Sequence, residues 1–264
     1  MIAISTLIGE MEEMEAIAQW IDQKNDPVLG VELIAFTHDE AYWKRLVNLL
    51  PRLSCGVSFH GPYVGVEGAA LPGSQAQADL FASYEKVMAL AAQYEGRHIV
   101  FHYSQRGFSE EERPTYQAAS QENIAYLLQR AKHYGVSLLV ENLADPLEGK
   151  PLYDLFEFEE LIGRFPEIGV IIDIGHAILT GMWLKPLMIK YGKQVKAFHF
   201  HNNNGLQDQH RSITDGIIEY DEIVQLYRNH TPGRDIVLEY EPHVSLSHEE
   251  LLAQVAWVKE NSCL

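Results

Sequence analysis

Seven apolar segments of this chain each end on a side chain that could bind a metal ion. The segments are rich in β-branched residues, which favours β-strands. The side chains at their ends are those of Glu32, His60, His102, Glu141, Asp173, His199 and Glu239. The interval between successive members is long enough for one helix and two loops, so parallel strands could bring them all to one rim of a barrel. The pattern therefore predicts a metal site.

Four consecutive strands of this series end in the side chains of Glu141, Asp173, His199 and Glu239. A mixed set of nitrogen and oxygen ligands suits Zn²⁺, Mn²⁺, Co²⁺ or Mg²⁺, with positions left open for water or substrate. The alternative is four separate buried polar residues that make internal hydrogen bonds. Within the same strands His201 could replace His199, and Glu241 could replace Glu239. We rank both replacements lower and predict the first set as the metal ligands.

Five further residues could extend the site: His60, His102, His176, Asp208 and His210. His176 follows Asp173 in the pattern Asp-x-x-His, and Asp208 and His210 form an Asp-x-His pattern after the seventh strand. Two imidazoles and a carboxylate from neighbouring loops could hold a separate metal, so we expect one to three ions in all. The alternative for Asp208 and His210 is an exposed polar loop.

Strand and helix patterns alternate along the whole chain. This alternation predicts an α/β fold, a single (β/α)8 TIM barrel, in which residues 1–264 form one domain. Helices are predicted over 122–135, ending at Gly135, and over 179–192. The last helix is predicted to begin at Ser247, because Glu250 three residues later completes a capping-box pattern.

The two-residue period of a strand predicts which side chains face the inside of the barrel. Glu141 shares a face with Leu139, and Asp173 shares one with Ile171. In the seventh strand His199 and His201 face inward. Phe198 and Phe200 face outward, toward the helices, and we call them the outward pair. Glu32 also faces inward, where it could support the metal ligands or act as a structural ion-pair partner lower in the barrel; we favour the ion pair. The histidines without a partner at ligand spacing, His98 among them, are expected at the surface or at helix ends.

The composition limits the classes of function. The formal net charge of −17 argues against a surface that broadly attracts phosphate backbones, so nucleic acid is an unlikely partner. Two cysteines are too few for a disulfide framework. The first residues carry glutamates and no basic segment, which argues against a secretory signal, and no apolar run is long enough for a membrane span. We therefore expect a cytoplasmic enzyme with no membrane partner.

Several of these residues stand in motifs that resemble those of a known group of proteins. The motifs are His60-Gly-Pro-Tyr63, Phe101-His102, Glu141-Asn142, Asp173-x-x-His176, His199-x-His201-Asn202-Asn203, Asp208-x-His210 and Leu238-Glu239. Together, and in this order, they resemble the xylose isomerase-like barrels, a superfamily that joins sugar isomerases and epimerases with nucleases of the endonuclease IV type (AP endonuclease family 2). The resemblance implies that Glu141, Asp173, His199 and Glu239 are the shared metal ligands. It also implies that His60, His102, His176, Asp208 and His210 match the other ligands of a three-zinc nuclease site.

The resemblance implies a metal-dependent isomerase or epimerase in carbohydrate metabolism as the first function. The substrate would be a small sugar, a sugar phosphate or a related polyol ketone, with Glu141 and Glu239 exchanging its proton through a metal-stabilised enediolate. Substrate-binding residues would then be His60, His102, His176, Arg211, Asn202 and Tyr63. A homodimer is a common assembly for such barrels.

The second function implied is a phosphodiester hydrolase that acts at apurinic sites through three zinc ions. Tyr63, after His60-Gly-Pro, falls where such nucleases carry a tyrosine. Against this function, the segment 36–43 after the second strand is acidic, where the nuclease pattern has basic and polar residues. A barrel that only binds a ligand is a third alternative. We favour the isomerase or epimerase.

Overall fold

Eight parallel strands close into a barrel in the computed structural model, which describes residues 1–264. Each strand pairs in parallel with the next along the chain, and the eighth pairs with the first, so no strand edge is left open. The strands are β1 Ile2–Ser5, β2 Leu29–Ile34, β3 Gly56–His60, β4 Ile99–Phe101, β5 Leu138–Glu141, β6 Gly169–Asp173, β7 Val195–Phe200 and β8 Asp235–Leu238. The (β/α)8 fold predicted from the sequence is confirmed.

Nine α-helices surround the barrel. They are α1 Met14–Asp22, α2 Glu40–Leu49, α3 Gln75–Gln93, α4 Arg113–Tyr134, α5 Leu155–Arg164, α6 Ile174–Thr180, α7 Leu184–Tyr191, α8 Tyr220–His230 and α9 His248–Ser262. Two short 3₁₀ helices, Thr6–Ile8 and Leu50–Arg52, follow β1 and α2. None of the helices has both the length and the apolar character that crossing a membrane requires.

The prediction of a single helix over 179–192 is wrong, because two helices occupy this part of the chain. The first, α6, begins directly after β6 and ends at Gly181, whose φ of 70° is in the left-handed region that glycine favours. The second, α7, carries Pro186 in its first turn, where the missing N–H costs no hydrogen bond. The expected termini at Gly135 and Ser247 are confirmed, and Ser247 and Glu250 form the capping box. Helix α4 starts nine residues earlier than predicted, at Arg113, with a proline in its first turn.

The inside and outside of the barrel follow the predicted two-residue period. Val100, Leu139, Ile171 and Ala197 form a small apolar cluster of their own inside the barrel. Phe198 and Phe200 belong instead to the large core between strands and helices, as expected for the outward pair. The residues two positions beyond the inner cluster along each strand are His102, Glu141, Asp173 and His199. The small apolar cluster therefore lies directly beneath these predicted ligands.

The expectation that His98 is a surface residue is wrong. It precedes β4, is 2% exposed, and its Nε2 lies 3.3 Å from Glu32 Oε2. The two-residue period of the strand explains this position, because His98, Val100 and His102 all lie on the inner face. Beside His98, Asp235 at the start of β8 accepts two hydrogen bonds of 2.7 Å from Arg97. This pair joins β4 and β8 at the end of the barrel opposite the predicted site.

We expect Asp235→Asn to lower the free energy of unfolding by about 1–3 kcal/mol, because the charged hydrogen bonds to Arg97 are lost at a buried position. Burial opposes ionisation of Asp235, but the hydrogen bonds from Arg97 outweigh it and hold the pKa of this carboxyl below its usual value. The difference in unfolding free energy between the wild type and Asp235→Asn should thus be largest at neutral pH and shrink as the pH falls below about 4. Urea unfolding at several pH values measures it.

The matched control for this prediction is Glu40→Gln. Glu40 and Lys44 form an exposed pair at 3.7 Å on α2, so its loss should change stability by less than about 1 kcal/mol. Equal losses in the two variants would contradict the role given to Asp235.

Candidate metal centre at the mouth of the barrel

Four buried side chains converge where β5 to β8 end. The possible ligand atoms of Glu141, Asp173, His199 and Glu239 all lie within 4.8 Å of one another, and we call these four residues the inner group. His199 Nδ1 lies 3.2 Å from Glu141 Oε1 and 3.2 Å from Glu239 Oε2. It lies 3.7 Å from Asp173 Oδ2. One ring nitrogen thus faces three carboxylates.

The strand register produces this convergence. Glu141 and Asp173 are the last residues of β5 and β6, and His199 pairs directly with Asp173 across β6 and β7. Glu239 lies one residue beyond β8, where its N–H still donates to Phe200 O in the manner of the sheet. Parallel strands place their carboxyl ends at the same rim, so residues distant in sequence become neighbours.

The charges of the inner group are poorly balanced without a cation. Burial, together with the neighbouring Glu141 and Asp173, raises the pKa of Glu239 to about 8, although His199 and His210 oppose this shift. Burial also opposes ionisation of Glu141, but His199 and His102 hold the pKa of that carboxyl well below its usual value. Three carboxylates at this depth carry a desolvation cost that a divalent cation would offset. The donor set therefore fits such an ion.

Glu32 contacts the other nitrogen of His199. Its Oε1 lies 3.0 Å from His199 Nε2, while its Oε2 accepts a hydrogen bond of 3.1 Å from Ser58 and lies 3.3 Å from His98 Nε2. Glu32 is fully buried; burial would raise the pKa of this carboxyl, yet His199 and His98 hold it below its usual value. A carboxylate on the far nitrogen fixes the orientation and tautomer of a ligand histidine. The structural ion-pair role expected of Glu32 is thus also a link to the inner group.

A second cluster combines Glu141 with His60 and His102, whose possible ligand atoms also lie within 4.8 Å of one another. His102 Nε2 lies 2.8 Å from Glu141 Oε2, and His60 Nε2 lies 3.9 Å from the same oxygen. The Nδ1 of His60 donates to Gly61 O at 3.1 Å, which leaves Nε2 free to face the carboxylates. Burial and the neighbouring His102 lower the pKa of His60 to about 3, so its imidazole is neutral, as a metal ligand must be.

A third cluster combines His176, His201, Asp208 and His210, and we call it the outer group. His176 Nε2 and His210 Nε2 lie 3.0 and 3.3 Å from Asp208 Oδ2. Burial opposes the charged form of His210, but the hydrogen bond to Asp208 and the charge of Glu239 raise its pKa to about 9. The alternative of an exposed loop holds for Asp208, which is exposed, but not for His210, which is 9% exposed. The carboxylate of Asp208 nevertheless lies against both histidines.

Asp173 and Asn142 hold the clusters in register. Asp173 caps α6 by accepting a hydrogen bond of 2.7 Å from His176 N, so the step from strand to helix places two ligand candidates side by side. Asn142 exchanges two hydrogen bonds of 2.9 Å with the backbone of Asp173. Its carbonyl also accepts a hydrogen bond of 3.0 Å from His176 Nδ1. This brace fixes the ends of β5 and β6 relative to one another.

The clusters share carboxylates. Glu141 belongs both to the inner group and to the cluster of His60 and His102. Asp173 belongs to the inner group and lies 2.9 Å from His201 of the outer group. All nine predicted ligands therefore lie in one continuous polar centre, although they come from six strands and the segments that follow them.

The three predicted substrate-binding residues outside these clusters differ in position. Tyr63 packs its ring against His60 and His102, with centroids 4.9 and 5.5 Å away, at the opening of the centre. Arg211 pairs with Asp215 at 3.4 Å. Asn202 is 1% exposed, and its amide is used fully inside the loop after β7, donating to Ile213 O and Ile218 O. In this position Asn202 braces the loop, and its role in substrate binding stays a prediction.

The structure agrees with ranking His199 above His201 for the inner group. Sequence reasoning missed that His201 instead lies in the outer group. The available signal was its position on the inner face two residues beyond His199. The role of Asn142 had no comparable signal, because it depends on the distance between two strand ends.

We expect Glu32→Gln to weaken the binding of Zn²⁺ or Mn²⁺ by about 10–100-fold, since the carboxylate that orients His199 is lost. Isothermal titration of the metal-free protein measures the affinity. The matched control is Glu85→Gln, which removes a carboxylate that pairs with Arg130 on the outer helices. An unchanged affinity in Glu32→Gln, or an equal loss in the control, would contradict this role.

Three solved structures resemble the fold over nearly its whole length. A D-tagatose 3-epimerase-like protein is 17% identical with a TM-score of 0.76, covering 98% of this chain and 96% of that chain. An AP endonuclease of family 2 from Brucella melitensis is 16% identical with a TM-score of 0.75, covering 97% and 98%. The IolI protein with a bound zinc atom is 13% identical with a TM-score of 0.74, covering 99% and 97%. At these identities the likeness concerns the fold.

An uncharacterized protein of Methanocaldococcus jannaschii is similar in sequence to part of this chain. It is 30% identical over 93 residues, which is 34% of this chain and 34% of the relative. The chain thus matches about a third of the length of that relative. The family described as "Xylose isomerase-like TIM barrel" matches far more of the chain, from residue 14 to residue 261. This match, which agrees with the closed eight-stranded barrel, shows that the chain belongs to the xylose isomerase-like TIM barrel family.

Proposed function

We propose that this protein is a divalent-metal-dependent isomerase or epimerase of a small sugar, a sugar phosphate or a related polyol ketone. The observation that carries the proposal is the convergence of two glutamates on one imidazole. Glu141 and Glu239 come from β5 and from the residue after β8, and each lies 3.2 Å from His199 Nδ1. Two carboxylates around one point are what proton removal and proton return at a single carbon require.

The inner group would hold the cation through Glu141, Asp173, His199 and Glu239. When bound, a divalent ion withdraws electron density from a substrate carbonyl and so acidifies the neighbouring C–H bond. Glu141 and Glu239 would then divide the proton transfer, one taking the proton from carbon and the other returning it. Both carboxyl groups are buried, and exclusion of water strengthens electrostatic interactions with the substrate.

The opening of the centre supports a small polar substrate. Tyr63 and the two histidines beside it, His60 and His102, line one side with groups that can hydrogen-bond hydroxyl groups. A substrate phosphate would find imidazoles here rather than an array of lysines or arginines. The likeness to an epimerase-like protein over the whole barrel agrees with this class of substrate. The net charge of −17 also favours a small molecule over a polyanion.

We expect Glu141→Gln and Glu239→Gln each to lower turnover by at least about 100-fold, because each removes one partner of the proton transfer. The assay is exchange of carbon-bound hydrogen for deuterium when a panel of ketoses and ketose phosphates is incubated in D₂O with the metal-loaded enzyme. NMR detects the exchange whichever stereoisomer is formed. Circular dichroism should show both variants folded.

The matched control is Glu241→Gln, two residues beyond Glu239. The side chain of Glu241 is 43% exposed and lies 3.2 Å from His243. This variant should keep its activity. Full activity in Glu141→Gln or Glu239→Gln, or no exchange with any member of the panel by the wild type, would contradict the proposed function.

A second candidate is a phosphodiester hydrolase, favoured by one observation. Glu141 is shared between two ligand clusters, with its Oε1 near His199 and its Oε2 near His102. A carboxylate that bridges two ions is a feature of multinuclear hydrolytic sites. An AP endonuclease of family 2 also shares the barrel. The acidic surface opposes binding of a nucleic-acid backbone.

Nicking of a duplex that carries one abasic site separates the two candidates. The proposed isomerase should leave this duplex intact at low salt with Zn²⁺ or Mn²⁺, because an acidic protein repels the phosphate backbone. Nicking that is lost in Glu141→Gln, without deuterium exchange in any sugar, would replace the first candidate by the second.

A further inference from the structure

We infer that His98 positions His199 through Glu32, so that a residue outside every ligand cluster controls how firmly the inner group holds its ion. His98 lies inside the barrel, immediately before β4, and belongs to none of the three clusters of possible ligands. The inference deepens the proposed function and rests on it only in taking His199 as a ligand of a divalent ion. His98 is a positioning residue, since it acts through another side chain.

The strand register brings His98 and Glu32 together. Glu32 on β2 pairs with Ser58 on β3, and Phe59 on β3 pairs with Ile99 on β4. The N–H of Phe59 also donates to His98 O at 3.0 Å, which fixes the backbone at this point. Glu32, Ser58 and His98 therefore lie side by side on the inner faces of three neighbouring strands.

The two oxygens of the Glu32 carboxylate have different partners. Oε1 lies 3.0 Å from His199 Nε2. Oε2 accepts a hydrogen bond of 3.1 Å from Ser58 Oγ and lies 3.3 Å from His98 Nε2. All four side chains are buried. Because both oxygens are held by neighbours, the carboxylate cannot turn freely about its last bond, and Oε1 stays directed at His199.

The same contacts select the tautomers of both histidines. An ionised carboxylate only accepts hydrogen bonds, so His98 Nε2 and His199 Nε2 must each carry a proton and donate it to Glu32. In His199 this leaves Nδ1 as the nitrogen that faces Glu141 and Glu239, each at 3.2 Å. A hydrogen bond on the far nitrogen is the usual way in which a ligand histidine is oriented toward its ion.

Stability alone does not account for this buried polar network. Elsewhere the inside of the barrel is filled by an apolar cluster of four residues, Val100, Leu139, Ile171 and Ala197. Burying a carboxylate and an imidazole carries a desolvation cost that apolar side chains avoid, and apolar replacements of such networks are often at least as stable. The polar network adds a defined geometry instead, which the support of an ion site requires.

The alternative role for His98 is to support the pair of Arg97 and Asp235. Its Nδ1 lies 3.7 Å from Asp235 Oδ2, which is longer than a hydrogen bond, whereas its Nε2 lies 3.3 Å from Glu32. Because the two nitrogens face different partners, two amide variants separate the roles. The amide of His98→Gln reaches the position of Nε2 and can donate to Glu32. The shorter amide of His98→Asn reaches only the position of Nδ1.

Titration of the metal-free variants with Mn²⁺, which prefers the oxygen-rich inner group, measures the effect on the ion. We expect His98→Asn to weaken binding about 10-fold, since His98 supports the ligand histidine from one contact farther away than Glu32. His98→Gln should restore the affinity, because its amide donates to Glu32. The double variant of His98→Asn and Glu32→Gln should bind no more weakly than Glu32→Gln alone, because both changes break the same contact.

The matched control is Arg97→Gln. It breaks the pair with Asp235 next to His98 and leaves the contact between His98 and Glu32 in place. This variant should lose stability, as Asp235→Asn does, and keep the affinity for Mn²⁺. A loss of affinity equal to that of His98→Asn would assign the effect to the packing at this end of the barrel and overturn the inference.

A second measurement needs no ion. NMR of the ¹⁵N-labelled, metal-free protein detects ring N–H groups that exchange slowly with water because they are buried and hydrogen-bonded. We expect a slowly exchanging Nε2–H on both His98 and His199 in the wild type. The His199 signal should be lost in His98→Asn and kept in His98→Gln. A His98 that only fills space would leave the His199 signal unchanged in both variants.

Three results would overturn the inference: an unchanged Mn²⁺ affinity in His98→Asn, equal losses in His98→Asn and His98→Gln, or additive losses in the double variant. If His98→Asn does not fold by circular dichroism, the wild-type ring spectrum decides. A slowly exchanging Nε2–H on both His98 and His199 supports the inference, and its absence on either contradicts it.

Failure of the proposed function gives a different pattern of results. Normal Mn²⁺ binding without deuterium exchange in any sugar would remove the proposed reaction and leave the role of His98 standing on the affinities. A wild type that binds no Mn²⁺ would remove the proposed ion as well. The ring spectra would then decide alone whether His98 holds His199 through Glu32.

Discussion

The ring of His199, with both of its nitrogens engaged, is the interaction on which the centre depends. Nε2 lies 3.0 Å from Glu32 beneath it, and Nδ1 lies 3.2 Å from Glu141 and Glu239 above it. An imidazole held in this way has no rotational freedom, so the carboxylates around it meet at a defined point. Because all of these groups are buried, their charges must be balanced within the barrel, which favours a cation at that point.

The inner and outer groups are mechanically connected through Asp173. This residue ends β6, caps α6, faces His199 on one side and lies beside His201 on the other. Asn142 fixes its backbone to the end of β5. A displacement of α6 would therefore move ligands of both groups together.

The fold itself does not choose between isomerisation and phosphodiester hydrolysis, since this barrel hosts many chemistries. The choice depends on what the mouth can attract and on how many open coordination positions it offers. The formal net charge of −17 favours a small substrate. The bridging position of Glu141 remains the feature that a hydrolase would exploit.

The sequence alone determined the barrel, the inward faces and the residues of the inner group. These follow from local rules: alternation of strands and helices sets the topology, and the two-residue period sets the face of each side chain. Glu141, Asp173 and His199 stand where that period places them. The tertiary structure decided the rest, because it depends on distances between segments that are remote along the chain. Only the packed structure shows that the amide of Asn202 donates hydrogen bonds to the carbonyls of Ile213 and Ile218. It also shows that His98 lies against Glu32 and that His201 faces Asp208. No periodicity encodes such contacts, since each is fixed by how two independent loops or strand ends meet.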